Sequence, residues 1–160
     1  MSFDGKTIII TGAGQGIGRQ YAHAFAAAGG SVAIVDLNGT AAQNVAAGIG
    51  DKAVAIETDV SDKASVDAMA QQVLDRFGRI DVLVNNAAIF STLKMKAFTE
   101  ITPEEFDTVM GVNARGVFLC CQAVAGHQRQ GDQPAWHRHR GAARNHSRRS
   151  MGRYHRGAGA

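Results

Sequence analysis

An α/β fold on a doubly wound parallel sheet follows from three features of these 160 residues. Short β-branched apolar runs recur up to residue 86, helix-length amphipathic segments separate them, and a glycine-rich turn joins the first run to the first helix. Strands joined through helices require right-handed crossovers, which place helices on both faces of the sheet. The sheet is expected to be incomplete, the front half of such a fold, with an irregular or disordered tail after it.

The elements follow in order. "KTIIIT" at 6–11 is a strand buried on both faces. A helix is expected over 17–28, with Ile17, Tyr21, Phe25 and Ala28 on one face and Gly29 and Gly30 as its stop. "SVAIVD" at 31–36 is the second strand and "KAVAIET" at 52–58 the third, with an Ala-rich helix over 40–49 between them. Ser61 is expected to open the next helix, whose Val66, Ala70, Val73 and Phe77 share a stripe closed by Gly78. "IDVLVNN" at 80–86 is the fourth strand. Thr102 as N-cap, Pro103 at the first helical position and Glu105 form a capping box that opens a helix through Phe106, Val109 and Met110 towards Ala125.

Charge divides the chain. Residues 1–125 hold nine Lys/Arg against thirteen Asp/Glu, whereas 126–160 hold eight Arg and one Asp; the formal +3 averages the two. The acidic body gives no reason for a nucleic-acid or membrane partner. "MSFDGKTIII" has no basic leader before an apolar stretch, and no apolar run approaches the ~18 residues of a membrane span. A soluble, cytoplasmic protein is expected. Cys120 and Cys121 are adjacent, which suits no metal or redox spacing, and both are expected to be buried as small apolar residues.

"TGAGQGIG" at 11–18 lies where the first strand meets the first helix. Glycines there let the backbone approach a pyrophosphate, whose charge meets the free N–H groups of the helix start. Thr11, Gly12, Gln15, Gly16, Ile17 and Gly18 are the candidate cofactor residues of this loop; the plainer alternative is an ordinary tight turn. Asp36 ends the second strand 18 residues after Gly18, with Leu37 beside it. A carboxylate there accepts from both ribose hydroxyls and repels a 2′-phosphate, which favours NAD over NADP. The alternative for Asp36 is a solvated strand-end carboxylate.

With Asp59-Val60, "NNAA" at 85–88 and Asn113 added in that order, the sequence resembles the classical short-chain dehydrogenase/reductase family over residues 6–125. The resemblance implies a Rossmann-type sheet of order 3-2-1-4, NAD as cofactor, and hydride transfer between a secondary alcohol and a ketone. It implies small alcohol or ketone substrates, and homo-oligomers among intact relatives. It places Asp59 and Val60 beside the adenine and Asn86 and Ala87 along the cofactor, with Ala88 where the family has Gly. Asn113 matches the catalytic-site Asn that holds a water in a proton relay; alone, it could equally interrupt its helix through a local hydrogen bond.

The family's acid/base set is a Tyr, a Lys four residues later and a Ser on the preceding strand end. Tyr21 is followed at that spacing by Phe25 and Tyr154 by Ala158, and no Lys follows Lys96. Ser147 and Ser150 stand too close to Tyr154 to occupy a separate strand. Residues 126–160 contain no Ile, Leu, Val or Phe, but five of the six His and eight of the twelve Arg. Such a segment cannot build a core. Out-of-frame translation of a GC-rich gene accounts for its composition and its onset inside a helix, so the chain is expected to be truncated or frameshifted before its catalytic residues. A nucleic-acid-binding basic arm, a non-catalytic nucleotide-binding module, and a metal site at His137, His139 and His146 are the alternatives. An uncovered apolar edge beside the fourth strand makes aggregation the further expectation.

Overall fold

The computed structural model describes residues 2–90 and 93–131, with side chains as far as His127. Strands β1 (Thr7–Thr11), β2 (Ser31–Asp36), β3 (Ala53–Glu57) and β4 (Val82–Val84) alternate with helices α1 (Gly16–Ala27), α2 (Gly39–Ile49) and α3 (Lys63–Phe77). Helix α4 (Pro103–Met110) then passes through a π-helical stretch, Gly111–Gly116, into α5 (Val117–Gly131). The sheet is parallel, in the order β3-β2-β1-β4. It is the Rossmann-type arrangement expected.

Neighbouring residues of each central strand enter opposite cores. Ile8, Ile10, Val32 and Ile34 pack with Ala22 of α1 and Ala42 and Val45 of α2. Ile9, Ala33 and Val35 pack on the other side with Val66, Met69, Ala70 and Val73 of α3 and Cys120, Ala123 and Val124 of α5. Two covered faces explain why β1 and β2 read as unbroken apolar runs instead of alternating ones.

Several local expectations change. Helix α1 turns Gly18 and Ala22 to the sheet and leaves Ile17 and Tyr21 exposed, because small side chains let the helix axis come close. Ser61 does not cap α3: its hydroxyl donates to Asp59, and Asp62 accepts the Ser65 N–H instead. Cys121 is exposed, whereas Cys120 is buried and its thiol is pushed up to about 11 by burial and then by its neighbour's charge. The capping box of Thr102 and Glu105 forms as expected.

The rod from Pro103 to His127 is also long and apolar enough to cross a membrane by length and composition, with a mean hydropathy of 1.3. It holds no unbroken apolar run of about 18 residues, since Thr108, Asn113, Arg115 and Gln122 stand within it. Its buried side, Cys120, Ala123 and Val124, belongs to the core. Phe106, Met110 and Phe118 of the same rod are exposed. α5 continues six residues beyond Ala125, since Gln, Arg and His sustain a helix adequately. The expectations for Ser147, Ser150, Tyr154, His137, His139, His146 and the rest of 132–160 lie outside the described residues.

Candidate functional site

Strand order reverses at β1, whose neighbours are β2 on one side and β4 on the other. The crevice at the carboxyl ends of strands around such a point is where open α/β sheets take ligands. Here the chain leaving β1 is tied to the chain leaving β4. The Thr11 hydroxyl donates to the Val84 carbonyl at 3.4 Å and accepts the N–H groups of Asn86 at 3.0 Å and Ala87 at 3.1 Å. The Asn86 side-chain amide donates back to the Thr11 and Gly12 carbonyls, both at 3.0 Å. Gly12 has φ +65°, and a Cβ on it would stand 2.8 Å from Ala87 Cα. Only glycine fits that junction.

Beyond the knot, the loop opens. Gln15 precedes α1 in extended geometry, no side chain caps the helix, and its first turn carries no acidic residue. A Cβ on Gly16 would meet nothing within 4 Å, and Ile17 is 66% exposed. The start of α1 thus has no side-chain cap, no acidic residue and open space beside Gly16, which suits an anionic group. Gly18 packs under Gly12 so closely that a Cβ would strike the Gly12 carbonyl.

Asp36 stands at the end of β2 beside this loop. Its Oδ2 accepts the Gly14 N–H and its Oδ1 the Asn38 N–H, each at 2.9 Å. Each oxygen keeps a further lone pair, so the carboxylate is held in place and still able to accept. Leu37 next to it is exposed. At the end of β3, the Asp59 carboxylate takes the Ser61 N–H at 2.8 Å and its hydroxyl at 2.7 Å. Val60 is buried, with Gly116 of the π-helical stretch seated against it: a Cβ there would lie 3.2 Å from the Val60 carbonyl oxygen.

Asn113, inside the π-helical stretch, is exposed and holds the backbone of Ile89 at both its N–H and its carbonyl. That pairing is long-range, unlike the local bond weighed from sequence. Thr11, Gly12, Asn86 and Ala87 come together in one knot. The groups at Gln15 to Gly18, at Asp36 and Leu37, and at Asp59 and Val60 surround the same strand ends. Sequence reasoning missed Gly14, to which it gave no role within "TGAGQGIG". A Cβ at Gly14 would lie 2.9 Å from both Asp36 Oδ2 and Ala41 Cβ, so the second glycine of "GAG" was the available signal.

This sheet and its switch-point crevice define an α/β protein of the Rossmann class. The chain belongs to the short chain dehydrogenase family, whose model matches residues 6–133. It is 47% identical over 125 residues to a sorbitol dehydrogenase of Cereibacter sphaeroides, covering 78% of this chain and 48% of that protein. It is 42% identical over 125 residues to a galactitol 2-dehydrogenase of Agrobacterium fabrum, with the same two coverages of 78% and 48%. Among solved structures, a 3-ketoacyl-(acyl-carrier-protein) reductase from Brucella melitensis complexed with NADH aligns with a TM-score of 0.77 at 43% identity, over 81% of this chain and 52% of that one. The chain spans about half the length of the curated relatives it matches.

Proposed function

We propose that this chain is the NAD-binding part of an oxidoreductase that moves hydride between a secondary alcohol and a ketone, and that the 160 residues by themselves do not turn over. The observation that carries the binding half is Asp36, fixed by the N–H groups of Gly14 and Asn38 beside an uncapped helix start.

The residues present fit the cofactor. Gly12, Gln15, Gly16, Ile17 and Gly18 receive the pyrophosphate with the N–H groups of α1, and Asp36 accepts the ribose hydroxyls. Leu37, Asp59 and Val60 border the adenine, Asn86 and Ala87 border the other half, and Thr11 and Asn86 keep the loop open by tying it to β4. Bound NAD supplies the hydride acceptor. Asn113, with a lone pair and an amide hydrogen left over from its bonds to Ile89, would hold a water of the proton relay. The NADH complex of the Brucella reductase supports NAD. The sorbitol and galactitol relatives support a polyhydric secondary alcohol as the substrate class.

The proton is the missing part. Oxidation of an alcohol needs a base poised near neutral pH, and an isolated Tyr titrates near ~10. No Tyr in the 160 residues has a Lys four positions on. We assign residues 1–125 to the cofactor domain and 126–160 to an out-of-frame tail, in a cytoplasmic protein whose intact relatives are homo-oligomers and whose own β4 edge promotes aggregation.

The test is calorimetric titration with NAD together with an NADH assay on sorbitol and galactitol. Binding without turnover, and turnover once residues after 125 are replaced by an in-frame continuation carrying Ser and Tyr-x-x-x-Lys, is the expected result. No NAD binding by the folded chain overturns the first half of the reading. NADH production abolished by Tyr154→Phe overturns the second.

A further inference from the structure

The rod that runs from α4 through the π-helical stretch into α5 turns two buried glycines towards the end of β3. A Cβ on Gly111 would lie 3.9 Å from Ser61 Cβ, and one on Gly116 would lie 3.0 Å from Val60 Cγ2. The two glycines are five residues apart, a spacing that sets side chains about 140° apart around an α-helix. The i→i+5 bonding of a π-helix returns them to one side, so the wide turn lets the rod meet this segment with both. Asn113 lies between them and holds the other neighbour, the segment leaving β4, through its two bonds to Ile89. Part of the strand-end crevice is lined by Thr11, Val60 and Ala87 together with Val112, Gly116 and Val117 of the rod.

The fit at Gly116 has no slack. A methyl there would meet Val60 at Cγ2 (3.0 Å), at the carbonyl oxygen (3.2 Å) and at Cβ (3.3 Å), and the last two are fixed by the backbone. The rod would have to shift by a few tenths of an ångström. Asn113, about one turn earlier, moves with it. A shift of that size takes bonds of 2.8 and 3.0 Å to or past the ~3.2 Å limit of a well-made one.

We propose that Gly116 is a positioning residue: its missing side chain seats the π turn on Val60 and thereby aims Asn113 at Ile89. The adenine border and the water-holding amide are then set by one contact. The parts given to Val60 and Asn113 rest on the NAD reading of the crevice; the seat itself does not.

Hydrogen exchange on the full chain, read at the Ile89 amide, tests the seat with matched variants. Alanine is the better helix former, so local propensity alone would make either glycine substitution strengthen the rod. Gly116→Ala should nonetheless lower Ile89 protection about five- to ten-fold, the worth of a hydrogen bond. Gly111→Ala, whose methyl would meet Arg115 Nη2 only at 3.6 Å and Ser61 at 3.9 Å, should leave it unchanged. Gly116→Ala combined with Val60→Ala removes the Cγ2 that the methyl strikes and should recover most of the protection, which keeps the test open if the single variant is unstable. Unchanged Ile89 protection in Gly116→Ala, an equal loss in Gly111→Ala, or a loss spread over every strand amide and not recovered in the double variant would overturn the proposal. NAD is titrated into the unmutated chain alongside: absence of binding overturns the NAD reading of the crevice and leaves the Ile89 pattern as it was, so the two failures stay apart.

Discussion

Asn113 holds the backbone of Ile89 at both ends: its Oδ1 accepts the Ile89 N–H at 2.8 Å, and its Nδ2 donates to the Ile89 carbonyl at 3.0 Å. One side chain thereby replaces a strand partner for the segment leaving β4. Asn113→Ala should cost about 1 kcal/mol, a modest loss because the pair is solvent-exposed. Asn113→Asp should keep the Ile89 N–H bond and lose the other. Hydrogen exchange separates them: the Ile89 amide should lose protection in the Ala variant and keep it in the Asp variant.

Asp36→Ala should weaken NAD by about ten- to a hundred-fold, the worth of hydrogen bonds to a charged acceptor. NADP should lose less, so the preference between the two should narrow. Calorimetry with both dinucleotides measures this, and tighter NADP than NAD binding to the unmutated chain would remove the role given to Asp36.

Asp81 gives the fold an acid limit. Burial pushes its carboxyl up, but hydrogen bonds from Arg79, the Thr7 N–H and Lys6 outweigh that and hold it below the ordinary carboxylate range. A depressed folded value means that the stabilisation is present above the unfolded pKa of ~3.9 and disappears as pH falls through the folded one. Asp81→Asn should therefore cost about 1–2 kcal/mol at neutral pH, discounted for the half-exposed Lys6 and Arg79. Urea melts at pH 7, 5 and 3 should show the two proteins converging on the acid side.

Thr58 is 2% exposed, and its hydroxyl has no hydrogen-bond partner among the described residues. Thr58→Val keeps the shape and removes the unmatched polar atom, while the Thr58 N–H still donates to the Asp36 carbonyl. A gain of up to about 1 kcal/mol is expected in a urea melt. A loss of similar size would show that the hydroxyl is hydrogen-bonded in solution.

The strands and their order were legible because β1 and β2 are covered on both faces and so carry unbroken apolar runs at Ile8–Ile10 and Val32–Val35. β4 was read as 80–86, yet its ladder covers only Val82–Val84. Asp81 turns its carboxylate to the Thr7 N–H, and Asn86 leaves the ladder for Thr11 and Gly12. Periodicity also chose the larger residues of α1 as its buried side, although contact distance to the sheet selects Gly18 and Ala22. The partners of Asp36 and Asn113 were beyond reach for another reason. Gly14 is 22 residues from Asp36 and Ile89 is 24 from Asn113, and motif spacing says which residues recur without saying which backbone atoms they hold. The π-helical stretch at Gly111–Gly116 has no such signature.

The Thr11 hydroxyl reaches partners 73 to 76 residues further along the chain. During synthesis, β1 leaves the ribosome before the other three strands, and it can pair with β2 after a short crossover. Its other edge, and the geometry of the glycine loop that follows it, must wait for β4. At ~5–20 residues per second, that is a delay of several seconds in which the middle strand of the sheet is half finished. Closing so long a loop costs little more entropy than closing a short one, so the delay is one of sequence order and not of stability. The nascent chain passes through that interval with Ile8, Ile9 and Ile10 unpaired along one edge, which makes it the stage at which a chaperone has most to bind.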